Sequence, residues 1–181
     1  SIKIPNATPE IIDFVIEFGA KYGYDFEHEG TYDKFCLVND AVYIARTANK
    51  WTAVGAQFQH PYVYKKLFTH EEMTFDDICE PRSVMQGVMY LDFNGNGVVE
   101  EMKHVGRTGM FVPVIDGGGA LYRVKDGKAY SVTGTKDHLW VEASVAKETD
   151  GFNIDYSYFV ELADKARGAI EKFGSFEEFI N

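Results

Sequence analysis

Apolar positions along this chain recur first at helical and then at strand spacing. Ile11, Ile12, Val15, Phe18 and Tyr22 repeat at the helical period, which predicts a helix with one apolar face. Thr8-Pro9-Glu10 opens it: Thr can cap free amides, Pro at the first position loses no hydrogen bond, and Glu suits the positive end of the dipole. Gly23 is the expected stop. Tyr24-Asp25-Phe26-Glu27-His28-Glu29 and the run from Tyr32 to Arg46 then read as two strands reversed at Gly30-Thr31, because aromatic and β-branched residues dominate both arms. Residues 51–58 predict another strand, residues 61–68 a short helix with Pro61 in its first turn, and residues 74–80 a second short helix ended by Pro81. From Val84 to Ala143 the pattern is β, with Asp126-Gly127 as the clearest hairpin turn. A last helix is expected from its cap Asp155 through Phe159, Leu162, Ala166, Ile170 and Phe173. Gly174 stops it, and Ser175-Phe176-Glu177-Glu178 has capping-box form. The expectation is an α+β fold without repeats or a linker.

Composition narrows this picture. The chain has 181 residues, 45% of them hydrophobic and 15% aromatic, enough to bury a sizeable core. Cys36 and Cys79 lie in apolar surroundings without CxxC spacing, so buried thiols are expected rather than a disulfide or zinc site. No apolar run approaches the ~20 residues of a membrane span, and no signal-peptide pattern opens the chain. A soluble, cytoplasmic protein is therefore expected. The net charge of −10 argues against a free-standing nucleic-acid binder, which normally carries a basic surplus. That charge is uneven, however: residues 31–70 and 102–140 carry a basic surplus and the remaining blocks an acidic one.

Two motifs invite chemistry and fall short of it. Asp92-Phe93-Asn94-Gly95-Asn96-Gly97 imitates the start of a calcium loop, with Asp92, Asn94 and Asn96 as oxygen donors. Lys103 stands where the bidentate Glu belongs, so a turn between strands is expected, with Glu100 and Glu101 leaving weak calcium binding open. Gly117-Gly118-Gly119 is not followed by Lys-Ser/Thr, which favours a loop over a phosphate cradle. His60, His104 and His138 read as structural histidines, and no Ser or Cys has a recognisable catalytic setting.

Phe26-Glu27 followed by the strand ending near Tyr43 resembles the palm of family B DNA polymerases, where an "x-F-E" strand leads to a Lys-x-Tyr signature beside the primer-template duplex. Ser1-Ile2-Lys3-Ile4, a helix and then strands is also the order that follows the Tyr-x-Asp-Thr-Asp-Ser motif in that family. Residues 57–68, Val105-Gly106-Arg107-Thr108-Gly109 and the run from Val132 to Trp140 are similar to segments of a bacteriophage group of these enzymes. The resemblance implies palm-like strands with a flanking helix over residues 1–70, then a β-rich, thumb-like region and C-terminal helix over residues 71–181. It implies a fragment of a DNA-directed DNA polymerase used in replication in a bacterial host cell, inactive alone. An N-terminal polymerase polypeptide would supply the Asp pair, Mg2+ and the dNTP site. Ser1 then suits a split gene product, whether exposed by loss of the initiator Met, by an intein or by a tag.

Primer-template DNA would be held by Tyr43, Arg46, Lys65, Lys66, Arg107 and Lys136. Tyr43 falls at the tyrosine of the signature, but Ala41 replaces its lysine; Lys34, Arg46 or Lys50 are the available substitutes. Two other readings stay open: an acidic interaction or regulatory protein, and a small calcium-binding β-module.

Overall fold

The computed structural model describes residues 1–148 and 152–181. Local signals set the helix ends as expected. Helix α1 (Pro9–Lys21) begins where Thr8 Oγ1 accepts from the Ile11 N–H at 3.3 Å, and Gly23 follows it at φ +83°. Helix α5 (Tyr156–Glu171) begins at Asp155, whose carboxylate accepts from the Ser157 N–H, and α6 (Phe176–Ile180) is capped by Ser175.

The first strands lie elsewhere than predicted. β1 (Lys34–Asn39), β2 (Val42–Thr47) and β3 (Lys50–Val54) form an antiparallel meander. Its first turn falls after Asn39, not at Gly30-Thr31, because the Asn39 side chain accepts from the Ala41 N–H at 2.9 Å and breaks the predicted long arm in two. Residues 1–4 and 24–33 carry no strand: strand-like composition does not suffice without a neighbouring strand to hydrogen-bond. β3 also ends early. Gly55, at φ +101° and with Val42 Cγ2 2.7 Å from where a Cβ would stand, redirects the chain into α2 (Ala56–Gln59).

Pro61 opens α3 (Pro61–Tyr64), but the expected helix continues only as one wide turn, Lys65–Thr69, closed by the His70 N–H on the Lys65 carbonyl at 2.7 Å. This i→i+5 turn puts both Leu67 and Phe68 in the core. The second short helix shrinks to a 3₁₀ turn, Phe75–Ile78. Pro81 lies within β4 (Glu80–Ser83), an edge strand where a missing N–H is tolerated.

The β-rich part makes two further antiparallel sheets. One has the order β10 (Leu139–Glu142), β7 (Thr108–Val114), β4; the other has β6 (Lys103–Gly106), β5 (Val88–Asp92), β8 (Ala120–Lys125), β9 (Lys128–Ser131). Asp126 and Gly127 join β8 to β9 at φ +52° and +75°, the two left-handed positions of a type I′ turn. Helix α4 (Ala143–Glu148) follows β10. The fold is thus α+β. A continuous apolar cluster reaches from Cys36 to Phe176 through Phe58, Phe68, Phe111, Trp140 and Phe159. Both cysteines are buried in or beside it with free thiols, and burial pushes both thiols up from their ordinary value. No helix among the described residues is long and apolar enough to cross a membrane.

Candidate functional site

The six residues expected on DNA meet different fates. Tyr43 and Arg46, three apart on β2, point to opposite sides of the sheet. Tyr43 is half-buried on the outer side, its ring stacked on Phe35 at 5.1 Å and covered by the Lys3 ammonium at 5.4 Å. Arg46 donates to Asp33 at 2.6 Å and lies over the Trp51 ring, and this hydrogen bond holds the Asp33 carboxyl below its usual value. Lys65 and Lys66 diverge in the wide turn. Lys65 turns inward to the buried Asp77 at 2.7 Å, while Lys66 remains exposed on the rim of a cleft of about 400 Å³ between that turn, α5 and α6. Arg107 is exposed between β6 and β7 and donates to the Met85 carbonyl. Lys136 is exposed at the end of a loop whose Thr135 is buried.

That loop carries out structural work for a cluster the sequence does not announce. Glu80, only 4% exposed, accepts from His60 on Oε1, and from the Arg82 guanidinium at 3.3 Å and the Tyr158 hydroxyl at 3.1 Å on Oε2. Arg82 also donates to the Tyr158 oxygen at 2.8 Å and to the Thr133 carbonyl at 3.2 Å, with its guanidinium 6.0 Å from the Trp140 ring centre. Gly134, at φ +79°, leaves the room: a Cβ there would meet Arg82 Nη2 at 3.1 Å. Burial pushes the Glu80 carboxyl up, but the His60 hydrogen bond and the His60 and Arg82 charges outweigh it and hold it below the usual range. Burial, then the Glu80 charge, pushes the Tyr158 hydroxyl up to about 12. The members are hydrogen-bonded to one another, so the cluster clasps β4, α3, α5 and the 132–135 loop together. The sequence signal was faint: Glu80-Pro81-Arg82 places both charges on one side of a strand.

The remaining motifs are also consumed internally. Asp92 accepts from the Gly95 N–H at 3.0 Å and the Gly97 N–H at 2.9 Å, one on each oxygen, and Asn96 bonds Glu101 and the Val98 N–H. Asn94 is exposed. The segment is a turn, as expected, and among the described residues no three His, Cys, Asp or Glu side chains gather as metal ligands. Gly118 and Gly119 are required by close packing: a Cβ on Gly119 would stand 2.7 Å from the Asp92 carbonyl carbon, and the Gly119 N–H is taken by the Trp140 carbonyl at 2.9 Å.

Two surfaces remain uncommitted. The first is apolar. Phe14, Phe18 and Tyr22 form an aromatic stripe along α1, 65%, 51% and 66% exposed, and among the described residues no other helix or strand packs extensively against α1. Phe35 and Leu37 are likewise exposed on the outer side of β1. The second is basic. Arg123, Lys125 and Lys128 line an open cleft of about 320 Å³ with Gln86, Asp126 and Tyr130 at the β8–β9 hairpin. The sequence announced its turn but not the cations alternating on either side of it. No family model matches this chain, and no curated protein or solved structure matches it either.

Proposed function

We propose that this chain completes the palm of a family B-type DNA polymerase and grips the primer-template duplex, while a companion segment supplies the metal-binding Asp pair, the Mg2+ ions and the dNTP site. The observation that carries the reading is the uncovered apolar stripe of α1, with exposed Phe35 and Leu37 on β1, in the helix-then-strands order that resembles the polymerase palm. A helix of 13 residues that buries only Gly19 gains little from its own fold, and contiguous exposed aromatics mark a surface that another polypeptide covers. Nucleotidyl transfer needs carboxylate-held metal ions to align the primer hydroxyl and neutralise the leaving pyrophosphate. This chain's part is positional: Tyr43 beside the primer end, and exposed Lys66, Arg107 and Lys136 on phosphates.

Primer extension tests it. Mixing the chain with a companion carrying the Asp pair, Mg2+, dNTPs and primed template gives extension, and neither polypeptide alone does. Phe18→Asp abolishes extension and co-elution with the companion while the thermal melt of the chain stays unchanged. Tyr43→Ala weakens primer binding more than folding. Extension that fails in the mixture, with α1 still accessible to protease there, overturns the reading in favour of an acidic interaction protein, to which the net charge of −10 points.

A further inference from the structure

Three cations without an acidic partner gather on one hairpin. Arg46, Lys65, Arg82, Lys103 and Arg167 are each in an ion pair. Arg123, Lys125 and Lys128 are in none among the described residues. Register brings these three together: Arg123 pairs with Tyr130 and Lys125 with Lys128 across β8 and β9, so all four side chains leave the same side of the hairpin.

The cleft they line is held open by its neighbours. Arg123, half-buried, lies over the Tyr130 ring at 5.2 Å, a contact that orders the guanidinium beside the cleft. Lys125 donates to Gln86 Oε1 at 2.5 Å, so the Gln86 NH2 group is left to donate. Arg107 donates to the carbonyl of Met85, the residue before Gln86. The loop between β4 and β5 therefore carries a cation on each of two consecutive residues and ties Arg107 to the cleft. Among the described residues, Asp126 is the one carboxylate on its lining.

We infer that this cleft, with Arg107 beside it, is a binding site for the phosphodiester backbone of duplex DNA. The inference rests on the duplex-gripping part of the proposed function and names where that grip lies. Residues two apart on a strand are separated by about 6.6 Å, so Arg123 and Lys125 stand in one row that a single run of phosphates can pass. Arg123 and Lys125 can thus follow one phosphate track while Lys128 meets it from the neighbouring strand. Cations without an acidic partner, on an open edge rather than in a closed pocket, suit a long polyanion whose bases are not read. The local cation density also gives an acidic chain a defined place to meet DNA.

Fluorescence anisotropy of the full chain with a labelled duplex, across a range of salt, tests the site. The Arg123→Gln/Lys125→Gln/Lys128→Gln variant binds more weakly, and its slope of log K against log salt falls by about 2.7, or about 0.9 for each phosphate no longer neutralised. Lys172→Gln, on the C-terminal side of α5, leaves the slope unchanged. The substitutions lie on an exposed hairpin, and matching melting curves establish that the triple variant is folded. Unchanged slope and affinity in the triple variant, or no duplex binding by the parent chain at low salt, overturns the inference and leaves these cations as guards of an edge strand against sheet-to-sheet association. The two readings fail separately. Extension in the mixture with an unaltered triple-variant slope removes the cleft alone, while a reduced slope without extension keeps the cleft and removes the polymerase.

Discussion

Helices α1 and α5 have similar lengths, capped N-termini and an apolar stripe, yet α5 buries Tyr158, Phe159, Ala163, Ala166, Ala169 and Ile170 whereas α1 buries only Gly19. Their stripes differ in size. α5 alternates large rings with alanines, so that α3 can approach closely enough for the Tyr62 and Phe159 rings to lie 5.1 Å apart. α1 presents Phe14, Phe18 and Tyr22 in one uninterrupted row. The first kind of stripe suits a helix packed within its own chain; the second suits a surface that meets a different one. Capping and periodicity form a helix, but they do not say what covers it.

The sharpest way to break this comparison is one truncation in each helix. Phe159→Ala should cost about 3–5 kcal/mol in chemical denaturation, since its ring is fully buried, while Phe18→Ala should fall within about 0.5 kcal/mol. A Phe18→Ala effect as large as that of Phe159→Ala would mean α1 is packed in solution and the contrast is false. Next is the clasp that fastens α5. Glu80→Ala leaves Arg82, His60 and Tyr158 without their shared acceptor and should destabilise the fold by about 3 kcal/mol or more, with no matching residue near α1.

The same clasp should respond to pH. Glu80 in the clasp, and Asp77 and Asp155 outside it, have folded values held below the ordinary ones. Their stabilisation is therefore present above the unfolded carboxyl values near pH 4 and is lost as pH falls through the lowered folded values. Tyr158 is raised to about 12, so its contribution is full below about pH 10 and disappears as pH rises through the folded value. Denaturation midpoints measured across pH should show a plateau with a fall at each side, and Glu80→Gln should flatten the acid side. The smallest effects belong to the caps. Asp155→Ala should lower global stability by about 1 kcal/mol, whereas Thr8→Ala should increase amide exchange in α1 and leave the global midpoint in place.

Features decided within a few residues were legible in the sequence. Thr8, Asp155 and Ser175 cap the helices they were expected to cap, and Asp126-Gly127 makes its turn. What was misread depended on partners far along the chain. Residues 24–33 have strand composition but no neighbouring strand, and the true reversal was marked by Asn39-Asp40, whose side-chain acceptor outweighed the Gly30-Thr31 signal. Lys65 and Lys66 look alike in sequence, yet only Lys65 is drawn to Asp77. The Glu80 clasp joins side chains up to 78 positions apart, a pairing that no local pattern encodes. Cations flanking the β8–β9 turn were visible individually. Their common side became clear only with the strand register.

The wide turn at Lys65–Thr69 makes this stretch intolerant of a change in length. Deleting one residue there would replace the i→i+5 turn by ordinary i→i+4 winding, and the joint burial of Leu67 and Phe68 and the reach of Lys65 to Asp77 would be disturbed together. Substitutions in this segment can be absorbed one at a time, but an insertion or deletion reassigns every side chain at once.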